Sequence, residues 1–372
     1  MKVVLSMANN STTPYFTRFA NLAIGNDEIE LIFLCLYPEK PLMVEEMNEK
    51  GFACYWVKFD SSKRKSSFVI SVFQIYKLFK KIKPDVVHTH LFDDSVPTLL
   101  AAKLSGVKHR VISKLDAGFH FRYNKKWMIF DKFNNRNATK ILTVSGENRK
   151  FVIEKENADV NKIVLVHQGI DEVEVTKYSE SIQQQIIKEY NLQNKKVLLT
   201  VSRYIELKGL NYIIEAISLL DKKYDDFVFV FVGYGNQQNN LEQLVKQKGV
   251  SKRVVFTGWI DRAWLNAFYS ITSVFVHAAI EEPFGYVIAE AMINKIPIVT
   301  TKTGAAYDCI IHKETGYLVE KKNSQDIVLG IEFMFSNNIQ NITDLAYKKA
   351  KKLFTVEKMW EKHLNLYKTL IN

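Results

Sequence analysis

Residues 273–292 read SVFVHAAIEEPFGYVIAEAM, and this stretch decides the class of fold. Its first part, Ser273 to Ala278, is a short apolar run typical of a strand, and Pro283 and Gly285 break regular structure before helix-forming residues resume. A strand, a tight loop and a helix in that order form one unit of a parallel α/β sheet. Such a unit also presents the free N–H groups of a helix N-terminus, which favour a bound phosphate.

Similar apolar runs recur along the whole chain. Runs without alternation predict strands buried on both faces, and helical stretches between them predict parallel, doubly wound sheets. The first group of runs is Lys2 to Met7, Glu30 to Leu36, Asp85 to His90, Arg110 to Ser113, Lys140 to Val144 and Lys162 to His167. After a polar stretch the second group is Lys196 to Ser202, Phe227 to Gly233, Val254 to Gly258, Ser273 to Ala278 and Pro297 to Thr301. We therefore expect an α/β protein of two doubly wound, Rossmann-like domains, residues 1–175 and 176–354, with the carboxyl ends of both sheets around one cleft.

Length and composition agree with two globular domains. The chain has 372 residues, of which 47% are apolar and 24% charged, and this balance excludes a disordered or fibrous protein. Its three cysteines, Cys35, Cys54 and Cys309, form no CxxC pair, which excludes a disulfide framework and a structural zinc site. No apolar run approaches the roughly 18 residues of a spanning helix, and the N-terminus does not read as a signal peptide. The cytoplasm is the expected compartment.

Positive charge is concentrated in one part of the chain. The net charge is +11, and residues 51–150 hold 20 Lys and Arg against 7 Asp and Glu, a local net of +13. Such a block favours a polyanionic partner or an anionic membrane face, with a merely solvated surface as the alternative. Between Phe119 and Phe133 aromatic residues alternate with cations, a pattern that favours an interfacial surface for anionic lipid or a lipid-linked acceptor.

Several polar residues follow the predicted strands and are candidate ligands of a nucleotide. Arg203 and Lys208 share one loop at a carboxyl edge, where two cations can neutralise a diphosphate. Glu282 and Glu290 could bracket a bound nucleotide sugar, since Glu290 lies one turn into the helix that follows the loop. Glycines 233 and 235 form a Gly-x-Gly turn without the third glycine of a dinucleotide fingerprint, which disfavours a nicotinamide enzyme.

Two histidines on one predicted strand, His88 and His90, invite a metal hypothesis. They point to the same side of the strand, but no third ligand stands nearby in the sequence. Buried core histidines are therefore the favoured interpretation, and no metal site is expected.

In their order, these motifs resemble those of family 4 glycosyltransferases, retaining enzymes of the two-domain glycosyltransferase-B fold. The C-terminal half carries Arg203 with Lys208-Gly209, Gly233-Tyr-Gly235, Phe256-Thr-Gly258, Glu282-x7-Glu290, and Gly304 with Gly316-Tyr-Leu-Val. The N-terminal half carries Lys83 to His90, Leu142 to Ser145, and Val166 to Asp171. The resemblance thus covers nearly the whole chain, and it implies that the final helix, 355–372, packs back onto the first, acceptor-side domain while 176–354 binds the donor.

The resemblance also implies roles for individual residues. Arg203 and Lys208 would clamp the donor diphosphate, Glu282 would face the transferred sugar and Glu290 would hold the ribose. The backbone of Phe284, Gly285 and Tyr286 would contact the sugar or phosphates, Gly258, Trp259 and Ile260 would line the base pocket, and Gly233 is counted with these donor-binding residues. The resemblance implies no cofactor and no metal, because cationic side chains and a helix N-terminus take the role of Mg²⁺.

The sequence departs from the family pattern at three positions that belong to the family's motifs. Asn9 to Thr13 stand where the family has a glycine-rich loop, and Gln168 replaces a common asparagine. The histidine usual after Ser113 is missing, and Asp116 or His120 is the candidate to replace it, Asp116 being counted as catalytic.

The sequence thus predicts a retaining glycosyltransferase that moves a sugar from a UDP- or GDP-linked donor to a lipid-linked or growing glycan, in surface polysaccharide synthesis. We expect it on the cytoplasmic face of the membrane, attached peripherally through the basic block. A nucleotide-sugar epimerase of the same fold is one alternative. A nucleic-acid-binding protein, indicated by charge alone, is another, but no nucleic-acid motif supports it.

Overall fold

The computed structural model describes residues 1–11, 13–116, 118–336 and 338–372. Thr12, within the Asn9 to Thr13 segment, and the side chain of Phe119 lie outside this description. The described residues divide into two compact units, of which the first holds Met1–Gly169 with Val356–Asn372 and the second holds Ile170–Thr355.

The first unit is built on a parallel sheet of seven strands in the order β3-β2-β1-β4-β5-β6-β7. Its strands are β1 (Lys2–Met7), β2 (Glu30–Tyr37), β3 (Ala53–Lys58), β4 (Val86–Thr89), β5 (His109–Lys114), β6 (Lys140–Thr143) and β7 (Ile163–Leu165). Its helices are α1 (Pro14–Ala23), α2 (Leu42–Glu49), α3 (Arg64–Ile82), α4 (Phe92–Ser105), α5 (Phe119–Tyr123), α6 (Met128–Asn137), α7 (Gly146–Glu154) and the C-terminal α17 (Val356–Ile371).

The second unit contains a parallel sheet of six strands in the order β10-β9-β8-β11-β12-β13. The strands are β8 (Lys196–Val201), β9 (Phe227–Val232), β10 (Val254–Gly258), β11 (Thr272–His277), β12 (Ile298–Thr301) and β13 (Tyr317–Val319). The helices are α8 (Glu172–Thr176), α9 (Glu180–Glu189), α10 (Leu210–Leu220), α11 (Gln238–Gln247), α12 (Arg262–Ile271), α13 (Tyr286–Ile293), α14 (Ala305–Cys309), α15 (Ser324–Ser336) and α16 (Gln340–Leu353). One-turn 3₁₀ helices connect several elements in both units, among them Lys125–Trp127 and Glu206–Lys208.

This architecture confirms the prediction of two parallel, doubly wound α/β sheets. Central strands such as β9 are buried along their whole length, as a continuous apolar run requires. In each sheet the strand order reverses at the centre, between β1 and β4 and between β8 and β11. Open α/β sheets bind ligands at the carboxyl ends of the strands that flank such a reversal.

Two edge strands, β3 and β13, are absent from the sequence prediction. β3 reads ACYWVK, so the sequence does carry a short apolar run here that the prediction overlooked, although only Val57 is buried in the structure. The segment of β13 is only three residues long.

The division between the units falls at Gly169, six residues before the expected boundary at 175. The reason is helix α8, which the second unit holds by side-chain contacts. Asn266 donates hydrogen bonds to the carbonyls of Glu174 (2.7 Å) and Lys177 (2.8 Å), and Tyr347 donates one to the carboxylate of Glu172 (2.7 Å). At the other end of the chain α17 begins at Val356 and belongs to the first unit.

Candidate active site

The loops that follow β8 and β11 meet at the carboxyl edge of the second sheet, at its strand reversal. Gly209 ends the loop after β8 with φ +62°, and a Cβ there would lie 2.2 Å from the carbonyl oxygen of Ala278. The backbone N–H of Ile280 donates to the carbonyl of Leu207 (2.8 Å). Glycine is therefore required for the close approach that brings Lys208 beside the loop after β11.

Lys208 and Glu282, both singled out by the sequence, form an ion pair in this edge. Lys208 Nζ lies 2.5 Å from Glu282 Oε2, and both side chains are largely buried. His277, the last residue of β11, places its Nε2 3.2 Å from the same oxygen. Burial by itself raises the pKa of the Glu282 carboxyl, but His277 and the positive charge of Lys208 outweigh it and lower the pKa to about 2. Glu282 is therefore ionised at neutral pH.

Helix α13 starts directly after this carboxylate. Gly285 caps it in the left-handed region, with φ +80°, and the carbonyl of Phe284 accepts a hydrogen bond from the N–H of Ala305 (2.5 Å). The Phe284 ring is buried against Tyr286 and Phe354. These contacts hold the N-terminus of α13, the positive end of its dipole, next to the Lys208–Glu282 pair.

Glu290 lies on the buried side of α13. Its Oε1 accepts a hydrogen bond from Arg262 Nη2 (2.8 Å) and its Oε2 accepts one from the hydroxyl of Tyr269 (2.9 Å). Burial, then the neighbouring carboxylate, raises the pKa of Tyr269 well above its usual value, so this hydroxyl remains a donor. Glu290 is thus a partnered, oriented carboxylate, whereas acidic residues of helices are usually solvated.

The other predicted donor-binding residues lie at strand ends of the same sheet. Gly233 follows β9 with φ +132°, and a Cβ there would lie 1.9 Å from the carbonyl of Ser202. Gly258 ends β10, and Trp259 after it is 71% exposed. Ile260 is half-buried and Arg203 is exposed. The roles of these residues remain predictions.

In the first unit a small pocket of about 160 Å³, here called the polar pocket after the charged side chains in its lining, opens at the carboxyl ends of β4 and β5. Lys114 is buried there, with Nζ 2.7 Å from Glu156 Oε2 and 3.7 Å from Asp131 Oδ1. His120 Nδ1 lies 2.8 Å from the other oxygen of Asp131. Asp116 also lines this pocket, but its side chain is half exposed and lies 3.4 Å from Arg122. Both candidates for the missing family histidine therefore face this polar pocket.

His88 and His90 are buried in the first unit, where His88 contacts the C-terminal helix and Tyr15 links His90 to it. His88 Nδ1 lies 2.6 Å from the hydroxyl of Tyr367, and its Nε2 lies 2.8 Å from Ser113 Oγ. His90 Nδ1 lies 2.9 Å from the carbonyl of Ser6, and Tyr15 joins His90 (3.4 Å) to His363 (3.3 Å). Every histidine nitrogen named here has a protein partner, which fits the interpretation as core residues.

Two negative findings concern metals and membranes. Within the described ranges, no group of three or more His, Cys, Asp or Glu side chains is arranged to hold a metal ion. No helix in the described part of the chain is long and apolar enough to cross a membrane.

Sequence reasoning missed five side chains that complete these clusters: His277, Arg262, Tyr269, Asp131 and Glu156. For His277 a signal was present, since a polar residue follows the apolar run 274–276 at the carboxyl end of its strand. Arg262 stands 28 residues before its partner Glu290, and no motif connects the two.

Two family models match the chain, one in each half. A model described as "Glycosyl transferase 4-like" matches residues 5–145, and one described as "Glycosyl transferases group 1" matches residues 182–353. Together they leave only short segments of the chain unmatched.

Comparisons with individual proteins also find glycosyltransferases. The chain is 26% identical over 313 residues to a UDP-Gal:α-D-GlcNAc-diphosphoundecaprenol α-1,3-galactosyltransferase of Escherichia coli, covering 80% of this chain and 78% of that protein. It is 27% identical over 237 residues to an uncharacterized glycosyltransferase of Methanocaldococcus jannaschii, covering 62% of this chain and only 60% of that protein. The crystal structure of HepE from Anabaena in complex with UDP superposes with a TM-score of 0.82 at 17% identity, covering 99% of this chain and 100% of that one. At that identity the superposition shows a shared fold.

Proposed function

The chain belongs to the family 4 glycosyltransferases, and on that premise we propose that it transfers a sugar, with retention of anomeric configuration, from a nucleoside diphosphate donor to a hydroxyl of a lipid-linked or growing glycan in surface polysaccharide synthesis. The relative from Escherichia coli acts by its name on a diphosphoundecaprenol-linked sugar, and this supports a lipid-linked acceptor. The names of these relatives lend no support to the epimerase alternative.

One observation carries the proposal: the Lys208–Glu282 pair lies beside the N-terminus of α13 at the strand reversal of the second sheet. When the bond from the sugar to the diphosphate breaks, negative charge grows on the leaving phosphate and positive charge on the sugar ring. Lys208, Arg203 and the N–H groups of α13 stabilise the phosphate, and the ionised Glu282 stabilises the ring. Because Lys208, Glu282 and the N-terminus of α13 are held in place before the reaction, they need little reorganisation.

Glu290 binds the ribose of the donor. Each oxygen of a carboxylate can accept more than one hydrogen bond. Glu290 can therefore accept hydrogen bonds from ribose hydroxyls while Arg262 and Tyr269 fix its orientation. The exposed Trp259 covers the base.

The donor binds without a divalent cation. Lys208, Arg203 and the helix N-terminus occupy the place where Mg²⁺ would neutralise a diphosphate in other enzymes. A chelator should therefore leave both nucleotide binding and turnover unchanged, and a loss of turnover on addition of EDTA, restored by Mg²⁺, would refute this part.

The first unit attaches to the cytoplasmic face of an anionic membrane. Its basic block is joined by exposed apolar side chains, among them Tyr123 (64% exposed) and Ile129 (66%). Cations attract anionic headgroups and apolar side chains insert between them.

A nucleotide screen tests the proposal. A ligand present at about 100 times its dissociation constant adds about 2.7 kcal/mol to the free energy of unfolding, so thermal melts with UDP and GDP should identify the base. Nuclear magnetic resonance should then show that the transferred sugar has the same anomeric configuration in the product as in the donor. If no nucleoside diphosphate shifts the melt, the proposed function is wrong.

Calorimetry on a variant tests the part given to Glu290. Glu290→Ala should weaken binding of the bare nucleoside diphosphate by about tenfold or more, because a charge-assisted hydrogen bond contributes about 1.5 to 3 kcal/mol. The variant Glu281→Ala, in the preceding loop, is the control and should bind as the parent does. Unchanged affinity in Glu290→Ala would contradict the ribose contact.

A further inference from the structure

An apolar groove crosses the first unit and includes Trp127 and Phe130, two aromatic residues of the predicted Phe119 to Phe133 surface. It is formed between the start of α3, the start of α4 and the region of Trp127 and Phe130, and its volume is about 540 Å³. Its exposed surface is almost wholly apolar and comes from residues such as Phe59, Phe68, Val69, Val96 and Pro97. The charged residues Arg64, Lys65 and Asp93 also line it. A volume between about 300 and 1,000 Å³ is typical of sites for small organic ligands.

The apolar groove adjoins the polar pocket of Lys114, Asp131 and Glu156. Phe92 lines both spaces, and its ring meets His120 edge-on at a centroid distance of 4.3 Å. On the groove side the same ring contacts Trp127 (5.8 Å) and Phe130 (6.1 Å). A hydrophobic space and a space lined by buried charges thus share one wall.

Arg64 lies near this shared wall. Its guanidinium carbon is 5.5 Å from the ring centroid of Phe92 and 4.8 Å from that of Trp127, and Nη2 binds Asp93 at 2.6 Å. Its Nε–H is buried and has no hydrogen-bond partner among the described residues. A buried donor without a partner is costly, and an anionic group of a ligand would satisfy it.

We propose that the apolar groove and the polar pocket together bind one amphiphilic acceptor, with its hydrocarbon chain in the groove, an anionic linker at Arg64 and its hydroxylated head in the pocket. That this ligand is the acceptor of the transfer, and that its head is a sugar, rests on the proposed function. The chain then runs from Phe92 toward Phe68 and Val69, which lie about one helical turn beyond Arg64 on α3. The two carboxylates of the pocket, Asp131 and Glu156, suit hydroxyl donors.

Binding of farnesyl diphosphate to the full chain tests the groove, with inorganic diphosphate as the probe that lacks a hydrocarbon chain. Farnesyl diphosphate should bind at least about tenfold more tightly, because each buried CH₂ adds favourable transfer free energy. Val69→Glu should abolish that difference. Ile70→Glu is the matched control, since Ile70 is also exposed on α3 but does not line the groove, and it should bind as the parent does.

Photo-crosslinking tests the orientation. A farnesyl diphosphate analogue with a photoreactive group at the end of its chain should label peptides that contain Phe68 and Val69. Labelling of the polar pocket, or equal affinity for both probes, would overturn the proposal.

Binding to vesicles distinguishes a ligand groove from a surface that only contacts the bilayer. If Val69→Glu loses vesicle binding but keeps its affinity for monomeric farnesyl diphosphate, the apolar surface is a bilayer contact and the groove proposal is wrong. Both measurements are independent of the nucleotide screen, so a failure here leaves the donor assignment standing.

Discussion

Lys208 and Glu282 form an ion pair, although the family resemblance implies separate roles for them, Lys208 at the diphosphate and Glu282 at the sugar. In the structure the cation expected on the phosphate and the carboxylate expected near the sugar are 2.5 Å apart. The positive charge of Lys208 helps to lower the pKa of Glu282 and so keeps that carboxylate ionised. A substitution at either position therefore changes both ends of the reacting bond.

Lys208→Ala should lower turnover by about 10² to 10³, the usual loss when one preorganised charge stabiliser is removed. Lys223→Ala is the control, since Lys223 makes an exposed ion pair with Glu332 in the same unit and exposed pairs contribute little. Steady-state kinetics with the identified donor gives the measurement. A Lys208→Ala protein that folds and works within threefold of the parent would show that this cation does not act on the leaving group.

Among the turns, Gly209 holds the loop of Lys208 in place. Gly209→Ala should destabilise the second unit by about 2 kcal/mol or more, because the new Cβ meets the carbonyl of Ala278 and the backbone is in the left-handed region. Gly249→Ala separates the two causes, since Gly249 has φ +69° but no atom within 4 Å of an added Cβ. Its cost should be about 1 kcal/mol. Denaturant unfolding that gives equal losses for both variants would disprove the close approach.

At the scale of elements, α17 is attached to the first unit through buried histidines. Burial lowers the pKa of His363 to about 4 and of His90 to about 3, and it lowers the pKa of His88 well below its usual value. In the unfolded chain these histidines titrate near 6.5, so below that pH the unfolded state binds more protons and stability falls. Burial raises the pKa of the neighbouring Asp94 to about 8, and this group opposes the trend, because its folded form holds a proton that the unfolded form loses above about pH 4.

Three histidines against one carboxyl leave a net uptake of about two protons on unfolding, or a loss of about 3 kcal/mol per pH unit between roughly pH 6 and 4. Amide hydrogen exchange of Val356–Ile371 should therefore become faster, relative to the unfolded chain at the same pH, as the pH falls through that range. His363→Gln should flatten the dependence by about one proton, whereas His312→Gln, at an exposed position, should not change it. Identical slopes for the two variants would mean that His363 does not contribute.

On the scale of the whole molecule, the charges are divided unequally, since residues 51–150 carry a net +13 against +11 for the entire chain. Binding to anionic vesicles should therefore decrease with salt without vanishing, since apolar insertion is not screened. Changing Lys125, Lys126 and Lys132 together to Glu should release the protein in a flotation assay, because each cation near the surface contributes about 1 kcal/mol.

The control makes the same change of charge in the second unit, at the exposed Lys222, Lys248 and Lys252. That variant should remain bound to the vesicles. Equal release of both variants would show that total charge, and not the surface of the first unit, decides attachment.

The sequence by itself determined the fold class, the two sheets and most of their strands, because a strand buried on both faces must be apolar over its whole length. It also indicated Lys208, Glu282 and Glu290, since each stands in the loop after a predicted strand or in the helix that follows that loop. Such signals are local, and a sequence shows local order directly.

Only the tertiary structure decided how those residues are paired. Glu282 stands 74 positions from Lys208, and Glu290 stands 28 from Arg262 and 21 from Tyr269. The tertiary structure also decided two features of the fold: the edge strands β3 and β13, and the place of α8 in the second unit. In each case the deciding contacts join segments distant in the chain, and those distances close only when parallel strands align their carboxyl ends at one edge of a sheet.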